Sequence, residues 1–189
     1  MVAIVERLTG VLTLVALAVA VVGLVVLVRG RVPRWLSDVA LPLATAIAVT
    51  ATVGSLFMSE VAGYPPCELC WYQRIAMYPL VVVLGIAAWR RDPQVWRTAV
   101  PIAAIGTLFS AWHVAIERRP ALGGMCDPAA PCSLRWVEEF GILTLPMMAG
   151  IGFLAIIVLS LVGRNTPAPT PDEDEMTDAA DPLGSTRPE

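Results

Sequence analysis

The stretch Tyr64-Pro-Pro-Cys-Glu-Leu-Cys-Trp-Tyr-Gln-Arg74 lies between two long apolar runs and contains a C-x-x-C pair followed, four residues later, by an arginine. Its two prolines favour an extended approach and allow a helix to begin near Cys67. A helix N-terminus carries about half a positive charge, which favours a thiolate over a thiol. Cys67, Cys70 and Arg74 then lie roughly along one helical face. The stretch therefore predicts a reactive cysteine pair with a cation close to its second sulfur.

The rest of the sequence indicates a membrane protein. Of its 189 residues, 57% are hydrophobic, and the mean hydropathy is +0.70, which is more apolar than soluble domains of this size. A helix needs about 20 apolar residues to cross a bilayer. We therefore predict an all-α integral membrane protein, a four-helix transmembrane bundle plus one extra N-terminal transmembrane helix. The five predicted spans are Leu8–Val28, Val39–Met58, Tyr72–Trp89, Ala99–Ile116 and Ile142–Val162.

Charge and composition divide the chain into three parts. Residues 165–189 hold seven acids and one arginine, a balance of −6, whereas residues 1–164 hold twelve arginines and nine acids, a balance of +3. The Pro-rich acidic end cannot bury enough apolar surface to fold, so we expect a disordered tail, solvated in preference to partner-binding. The first apolar run is too long for a cleaved signal peptide, which favours an uncleaved span. The expected parts are an extra helix and loop at 1–38, a four-helix domain at 39–164 and the tail at 165–189.

The arginines predict the orientation, because short loops rich in Lys and Arg stay in the cytoplasm. Loops 29–38 and 90–98 together with Arg164 hold seven arginines on one side of a five-span chain, against five on the other side. We therefore expect a multi-pass protein of the cell membrane, with extracytoplasmic cysteine loops and a cytoplasmic C-terminal tail. The arginines flank the spans and do not line one face, so no nucleic-acid binding is expected.

Four cysteines form two pairs on the outward side, where disulfides persist: Cys67/Cys70 and Cys126/Cys132. Four thiolates are a possible zinc site, but the second pair is spaced more widely than most zinc ligands, and the single histidine lies within a span. Two inert disulfides are a further alternative, although rings this small remove little chain entropy. A redox-active pair beside a helix N-terminus agrees best with the residues, and no metal is expected.

Two segments resemble the signatures of the disulfide bond formation protein B family (DsbB), especially its BdbC-like branch. They are "PCELCWYQRIAMYPL" at 66–80 and "PCSLRWVEEFGILTLP" at 131–146. The resemblance covers roughly Val39–Val162, with both motifs in the family's order between spans. It implies a membrane thiol–disulfide oxidoreductase that reoxidises an extracytoplasmic, DsbA-like thioredoxin-fold oxidase. The electrons would pass to a membrane quinone, ubiquinone or menaquinone, in support of disulfide formation in exported proteins.

The same resemblance assigns a role to each cysteine. Cys67 and Cys70 match the disulfide next to the quinone, and Cys126 and Cys132 match the loop disulfide that exchanges with the partner. Exchange proceeds by attack of a thiolate on a disulfide sulfur. A reduced partner would attack the loop disulfide, and the freed loop thiolate would attack Cys67. Cys70 would then be the thiolate nearest the quinone.

Two residues within the predicted spans are candidate quinone contacts. Arg74 matches the family's quinone-contacting arginine. Because a charge at or inside the membrane surface costs free energy, its presence there indicates a function. The alternative is that Arg74 snorkels to the lipid headgroups. His113 lies near a position where a second quinone contact is expected. A buried structural histidine is the alternative for it, with Glu117 four residues later as a partner if the helix continues.

Several features depart from the family pattern or leave alternatives open. The family usually has four spans, so the resemblance assigns no role to Leu8–Val28 or to the acidic tail. Vitamin K epoxide reductase homologues also couple cysteine pairs to a quinone, but their loop cysteines precede the C-x-x-C. A non-catalytic membrane scaffold with two structural disulfides is the opposing class of function.

Two further expectations concern packing. Leu134, Val137 and Phe140 have helix-like spacing, which predicts a short helix over Ser133–Phe140 along the outer membrane interface. Small residues within spans let helices approach closely. The glycines expected to act in this way are Gly54, Gly85, Gly106, Gly150 and Gly152.

Overall fold

The computed structural model describes residues 1–123 and 126–165. Each of its five long helices is long and apolar enough to cross a membrane, which confirms the predicted all-α integral membrane fold with an extra N-terminal helix. Apart from Asn165, the predicted acidic tail lies outside the described residues. The helices are α1 (Val2–Val28), α2 (Arg34–Glu60), α3 (Glu68–Arg90), α4 (Trp96–Arg118) and α5 (Leu145–Gly163), with a 3-10 turn at Pro120–Leu122.

A short β-hairpin lies where the sequence predicted the end of an interfacial helix and the start of the last span. Strand β1 (Glu138–Glu139) pairs antiparallel with strand β2 (Leu143–Thr144), around a turn in which Phe140 and Gly141 have φ values of 54° and 70°. The helix predicted over Ser133–Phe140 is therefore wrong, because its last residues make strand hydrogen bonds and a turn. The last span was expected to begin at Ile142, but α5 begins at Leu145 because the hairpin includes the preceding two residues.

The helices α2, α3, α4 and α5 form a closed ring in which each packs against two neighbours, and α1 packs on the outside of α5. The middle of the ring is filled by large apolar side chains without exposed surface. Small residues on α1 face the bundle, and Gly23 is one that the packing requires, since a Cβ there would lie 2.7 Å from Val158 Cγ1. The buried side chains at the centre include Leu80, Leu84, Phe153, Ile156 and Leu159.

We expect Gly106→Ala to destabilise the bundle. A Cβ at this position of α4 would collide with the ring of Phe153, which is fully buried and has no room to move aside. Overpacking of this kind costs about 1–3 kcal/mol, so thermal unfolding in detergent should begin at a lower temperature. Gly85→Ala is the matched control, because the nearest atom to its Cβ would be Thr45 Cγ2 at 3.8 Å. An unfolding midpoint that is the same for Gly106→Ala as for the unaltered protein would contradict this packing.

Candidate active site

The predicted reactive pair lies at the N-terminus of α3. Cys67 is the N-cap residue, with extended backbone at φ −73° and ψ 171°, and its Sγ accepts a hydrogen bond from the Cys70 N–H at 3.3 Å. The two sulfurs lie 2.8 Å apart, and both cysteines are free. The structure therefore contains no bond between Cys67 and Cys70, and the predicted disulfide between them stays a prediction.

The loop cysteines form a disulfide that packs directly against this pair. Cys126 is bonded to Cys132, and the two differ in accessibility, because Cys132 is 2% exposed whereas Cys126 is only partly buried. Cys132 belongs to a buried cluster with Cys67, Leu69 and Ile116. The two cysteine pairs are therefore adjacent, with Cys132 inside the buried cluster and the partly buried Cys126 packed against it.

His113 on α4 connects the two pairs. Its Nε2 lies 3.1 Å from the carbonyl oxygen of Cys132 and 3.7 Å from Cys67 Sγ. The side-chain amide of Gln73 donates to its Nδ1 at 3.3 Å, so Nε2 carries the hydrogen and donates to the Cys132 carbonyl. Ligand atoms of His113, Cys67 and Cys70 lie within 4.8 Å of one another. However, a metal would need Nε2 without its hydrogen, so these bonds disfavour a metal site.

The hydrogen bonds at Cys67 favour its ionised form. When Cys67 is ionised, its Sγ accepts a hydrogen bond from the Cys70 thiol, and this bond is the main cause that lowers the pKa of Cys67 below its usual range. Burial opposes this shift, and His113 and the backbone N–H of Cys70 reinforce it. A thiolate in the reduced pair stabilises the reduced state, which makes the corresponding disulfide a stronger oxidant. This property is useful in a cysteine pair that is reduced by thiolates of another pair.

The lowered pKa of Cys67 can be tested by titration of the reduced protein. An unperturbed cysteine ionises near pH 8.5, so we expect thiolate absorbance to be present at neutral pH and to disappear only as the pH falls well below that value. Because the pKa of Cys67 is lower in the folded than in the unfolded protein, its thiolate stabilises the folded protein. This stabilisation is complete above the unfolded pKa and is lost as the pH falls through the folded pKa. Cys126→Ser/Cys132→Ser isolates the pair. Replacing Cys70 by serine in that variant should move the transition to higher pH, and thiolate that appears only in alkaline solution would contradict the assignment.

A cavity of about 380 Å³ is lined by Cys70 but not by Cys67 or His113. Its polar end is formed by Cys70, Gln73 and Arg74, and most of its remaining surface is apolar. The walls come from α1, α2, α3 and α5, with no residue of α4. His113 is therefore not a lining residue; its ring lies beside Cys67 and the Cys132 carbonyl and is hydrogen-bonded to the lining residue Gln73.

Arg74 is a buried cation without a carboxylate partner. It is 8% exposed, and its Nε and Nη2 donate to the hydroxyl and carbonyl oxygens of Ser55, each at 2.9 Å. Its guanidinium also lies 5.2 Å from the centre of the Trp71 ring. Within residues 1–123 and 126–165, the only ion pair is the exposed one between Arg135 and Glu138. A charge held inside a membrane bundle in this way indicates function.

Tyr64, a residue of the cavity wall, makes two contacts that the sequence did not predict. The Tyr64 hydroxyl donates to Glu6 Oε1 on α1 at 2.8 Å, and the Tyr64 ring stacks on Trp136 with centroids 5.2 Å apart. Tyr64 and Trp136 both line the cavity. Sequence reasoning also missed Gln73 and Ser55; the position of Gln73, three residues after Cys70, was the only available signal. The other partners are far apart in sequence and belong to no pattern.

Glu117 does not pair with His113, although α4 continues to Arg118. Its carboxylate accepts a hydrogen bond from the Thr144 hydroxyl at 2.7 Å, and its backbone carbonyl accepts one from Arg135 at 3.4 Å. These bonds join the end of α4 to the hairpin that follows Cys132. They therefore help to hold the loop disulfide against the bundle.

Comparison with known proteins shows the family of this chain. The family model of the disulfide bond formation protein DsbB matches residues 37–163, and no solved structure gives a significant match. The probable disulfide formation protein C 2 of Bacillus cereus is 41% identical over 127 residues, 67% of this chain and 91% of that protein. The disulfide bond formation protein C of Bacillus subtilis is 43% identical over 114 residues, 59% of this chain and 83% of that protein. With both cysteine motifs inside the matched region, the chain belongs to the disulfide bond formation protein DsbB family.

Proposed function

We propose that this membrane disulfide oxidoreductase accepts electrons from a reduced extracytoplasmic thioredoxin-fold oxidase and delivers them to a membrane quinone. Its cysteine loops face the outside of the cell membrane, and its C-terminal tail faces the cytoplasm. Through this cycle it supports disulfide formation in exported proteins. The observation that carries the proposal is the placement of Cys70 and Arg74 together at the polar end of one apolar cavity among membrane helices.

The residues of the cavity fit a quinone. A volume of about 380 Å³ lies within the range of small-molecule sites, about 300–1,000 Å³. The apolar walls suit a ring and its hydrocarbon chain, and Arg74 offers a donor for a carbonyl oxygen. Two of its three guanidinium nitrogens are committed to Ser55, and the third has no hydrogen-bond partner in the described part of the chain. When bound there, a quinone supplies a two-electron, two-proton acceptor next to Cys70.

The burial of the loop cysteines sets the direction of the first exchange. Cys126 is the accessible sulfur of the loop disulfide and Cys132 is the buried one. The partner thiolate attacks Cys126 Sγ, the Cys126–Cys132 bond breaks, and Cys132 leaves as a thiolate. This thiolate is released inside the cluster that contains Cys67, and His113, 3.1 Å from the Cys132 carbonyl, holds it there.

The second exchange transfers the electrons to the inner pair. Starting from an oxidised Cys67–Cys70 pair, the Cys132 thiolate attacks Cys67 Sγ, and Cys70 leaves as a thiolate on the cavity side. The partner's second thiol then displaces Cys126, and Cys126 attacks Cys132 and re-forms the loop disulfide. Cys67 is released as the second thiol. The result is a loop disulfide with a reduced inner pair.

Quinol formation by the full chain in detergent tests this proposal. A reduced thioredoxin-fold oxidase is supplied with a short-chain ubiquinone or menaquinone, and the loss of quinone absorbance is followed. We expect turnover with at least one quinone and none in Cys70→Ser. Oxidation of the partner without quinone consumption would overturn the assigned acceptor. If neither reaction occurs and both cysteine pairs remain unchanged in mild reductant, the cysteines are structural and the enzyme proposal fails.

A further inference from the structure

One residue of the cavity wall has a buried hydroxyl without a hydrogen-bond partner in the described residues. Within the described residues, four buried hydroxyl oxygens lack a hydrogen-bond partner: Thr52 Oγ1, Tyr78 OH, Ser110 Oγ and Ser160 Oγ. Of these residues, only Tyr78 lines the cavity. A buried hydroxyl without a partner costs about 1–3 kcal/mol. A ligand in the cavity that accepts a hydrogen bond from Tyr78 would remove this cost.

The position of Tyr78 on α3 indicates which part of the ligand it reaches. Cys70, Arg74 and Tyr78 follow one another at intervals of four residues and line the same cavity. An interval of four residues advances about 6 Å along a helix, so Tyr78 lies one turn deeper than Arg74, farther from the Cys67 end. The two carbonyl oxygens of a 1,4-quinone lie on opposite edges of its ring. A ring with one carbonyl beside Arg74 and Cys70 can therefore direct the other toward Tyr78.

We propose that the Tyr78 hydroxyl donates a hydrogen bond to the second carbonyl of a 1,4-quinone, the carbonyl that points away from Cys70. This inference rests on the proposed quinone acceptor. Arg74 and Tyr78 would then hold the ring at both ends, which fixes its depth in the cavity and keeps the first carbonyl beside Cys70. The site would favour 1,4-quinones over ring compounds of the same size that carry a single carbonyl group.

Tyr78→Phe removes the hydroxyl and keeps the ring, so it tests the hydrogen bond without opening a space. We expect the Kd of a short-chain 1,4-benzoquinone, measured by quenching of tryptophan fluorescence, to rise about 5- to 10-fold, the value of one neutral hydrogen bond. In infrared difference spectra, one carbonyl band of the bound quinone should move to higher wavenumber. Without quinone, the thermal midpoint of the variant should be equal or higher, because an unpaired buried hydroxyl has been removed. The stabilisation by added quinone should be smaller than in the unaltered protein.

Tyr72→Phe is the matched control. Tyr72 lies on the same helix, stacks on Phe109 and does not line the cavity. Tyr72→Phe should therefore leave the Kd and the carbonyl bands of the bound quinone unchanged. An unchanged Kd and spectrum for Tyr78→Phe would overturn the role of Tyr78 while the binding by the unaltered protein still supports the quinone acceptor. An equal rise in Kd for Tyr72→Phe would also overturn the role of Tyr78, because the loss of affinity would then not depend on a residue of the cavity wall. If the unaltered protein binds no quinone, the proposed acceptor fails first and this inference fails with it.

Discussion

A reduced partner oxidase that retains only its attacking cysteine is expected to become attached to Cys126 and not to Cys132. Cys132 is 2% exposed and packed against Cys67, so an incoming protein reaches only the other sulfur of the loop disulfide. The attached peptide can be identified by mass spectrometry after proteolysis without reductant. Either Cys126→Ser or Cys132→Ser should abolish turnover completely, because each destroys the disulfide that the partner attacks.

Two controls make the attachment site informative. A partner without cysteines should form no covalent complex, which excludes adducts through other groups. In Cys67→Ser, the released Cys132 thiolate has no inner disulfide to attack and returns to Cys126, so the yield of the complex should fall. Attachment mainly at Cys132 would reverse the proposed order and would mean that the loop opens widely before exchange.

Arg74→Met is expected to lower kcat/KM for the quinone about 10- to 100-fold, since a hydrogen bond from a charged donor is worth about 1.5–3 kcal/mol. Methionine keeps much of the apolar length of arginine but cannot donate to a carbonyl oxygen. The kcat/KM for the partner oxidase should not change, because this constant depends only on the reaction of the partner with the loop disulfide. Steady-state kinetics with each substrate varied in turn separate the two effects.

Arg97→Met provides the matched control for this substitution. Arg97 also lies over a tryptophan, 5.7 Å from the ring centre of Trp96, but it is exposed and does not line the cavity. Its replacement should leave kcat/KM for the quinone and kcat/KM for the partner oxidase unchanged. A loss of quinone turnover of the same size in both variants, or none in Arg74→Met, would contradict the assignment of Arg74 to the cavity.

The sequence predicted the features that depend on short-range spacing. Long apolar runs identified the five helices, and the spacing of Cys70 and Arg74 placed both on the face that lines the cavity. The ends of elements were less predictable: Leu143 and Thr144 are apolar enough to join a span, but pairing with β1 holds them in a strand. Local composition contains no information about such a pairing.

The role of His113 could not be read from spacing, because it depends on which way α4 faces. The sequence places this residue near the outer end of a span, where the alternatives were a quinone contact and a buried structural histidine. Packing turns it toward Cys67 and the Cys132 carbonyl. Ser55 and Glu6 had no signal at all, since each meets its partner across the bundle through backbone placement that no motif records.

The position of α1 changes what counts as the smallest working unit of this protein. The family match begins at residue 37, yet α1 supplies Thr9, Leu12, Thr13 and Ala16 to the cavity wall and Glu6 to the Tyr64 hydroxyl. A chain trimmed to the matched region would keep every cysteine and Arg74 but would open the cavity along one side. The segment that carries the family signature is therefore shorter than the segment that builds the site.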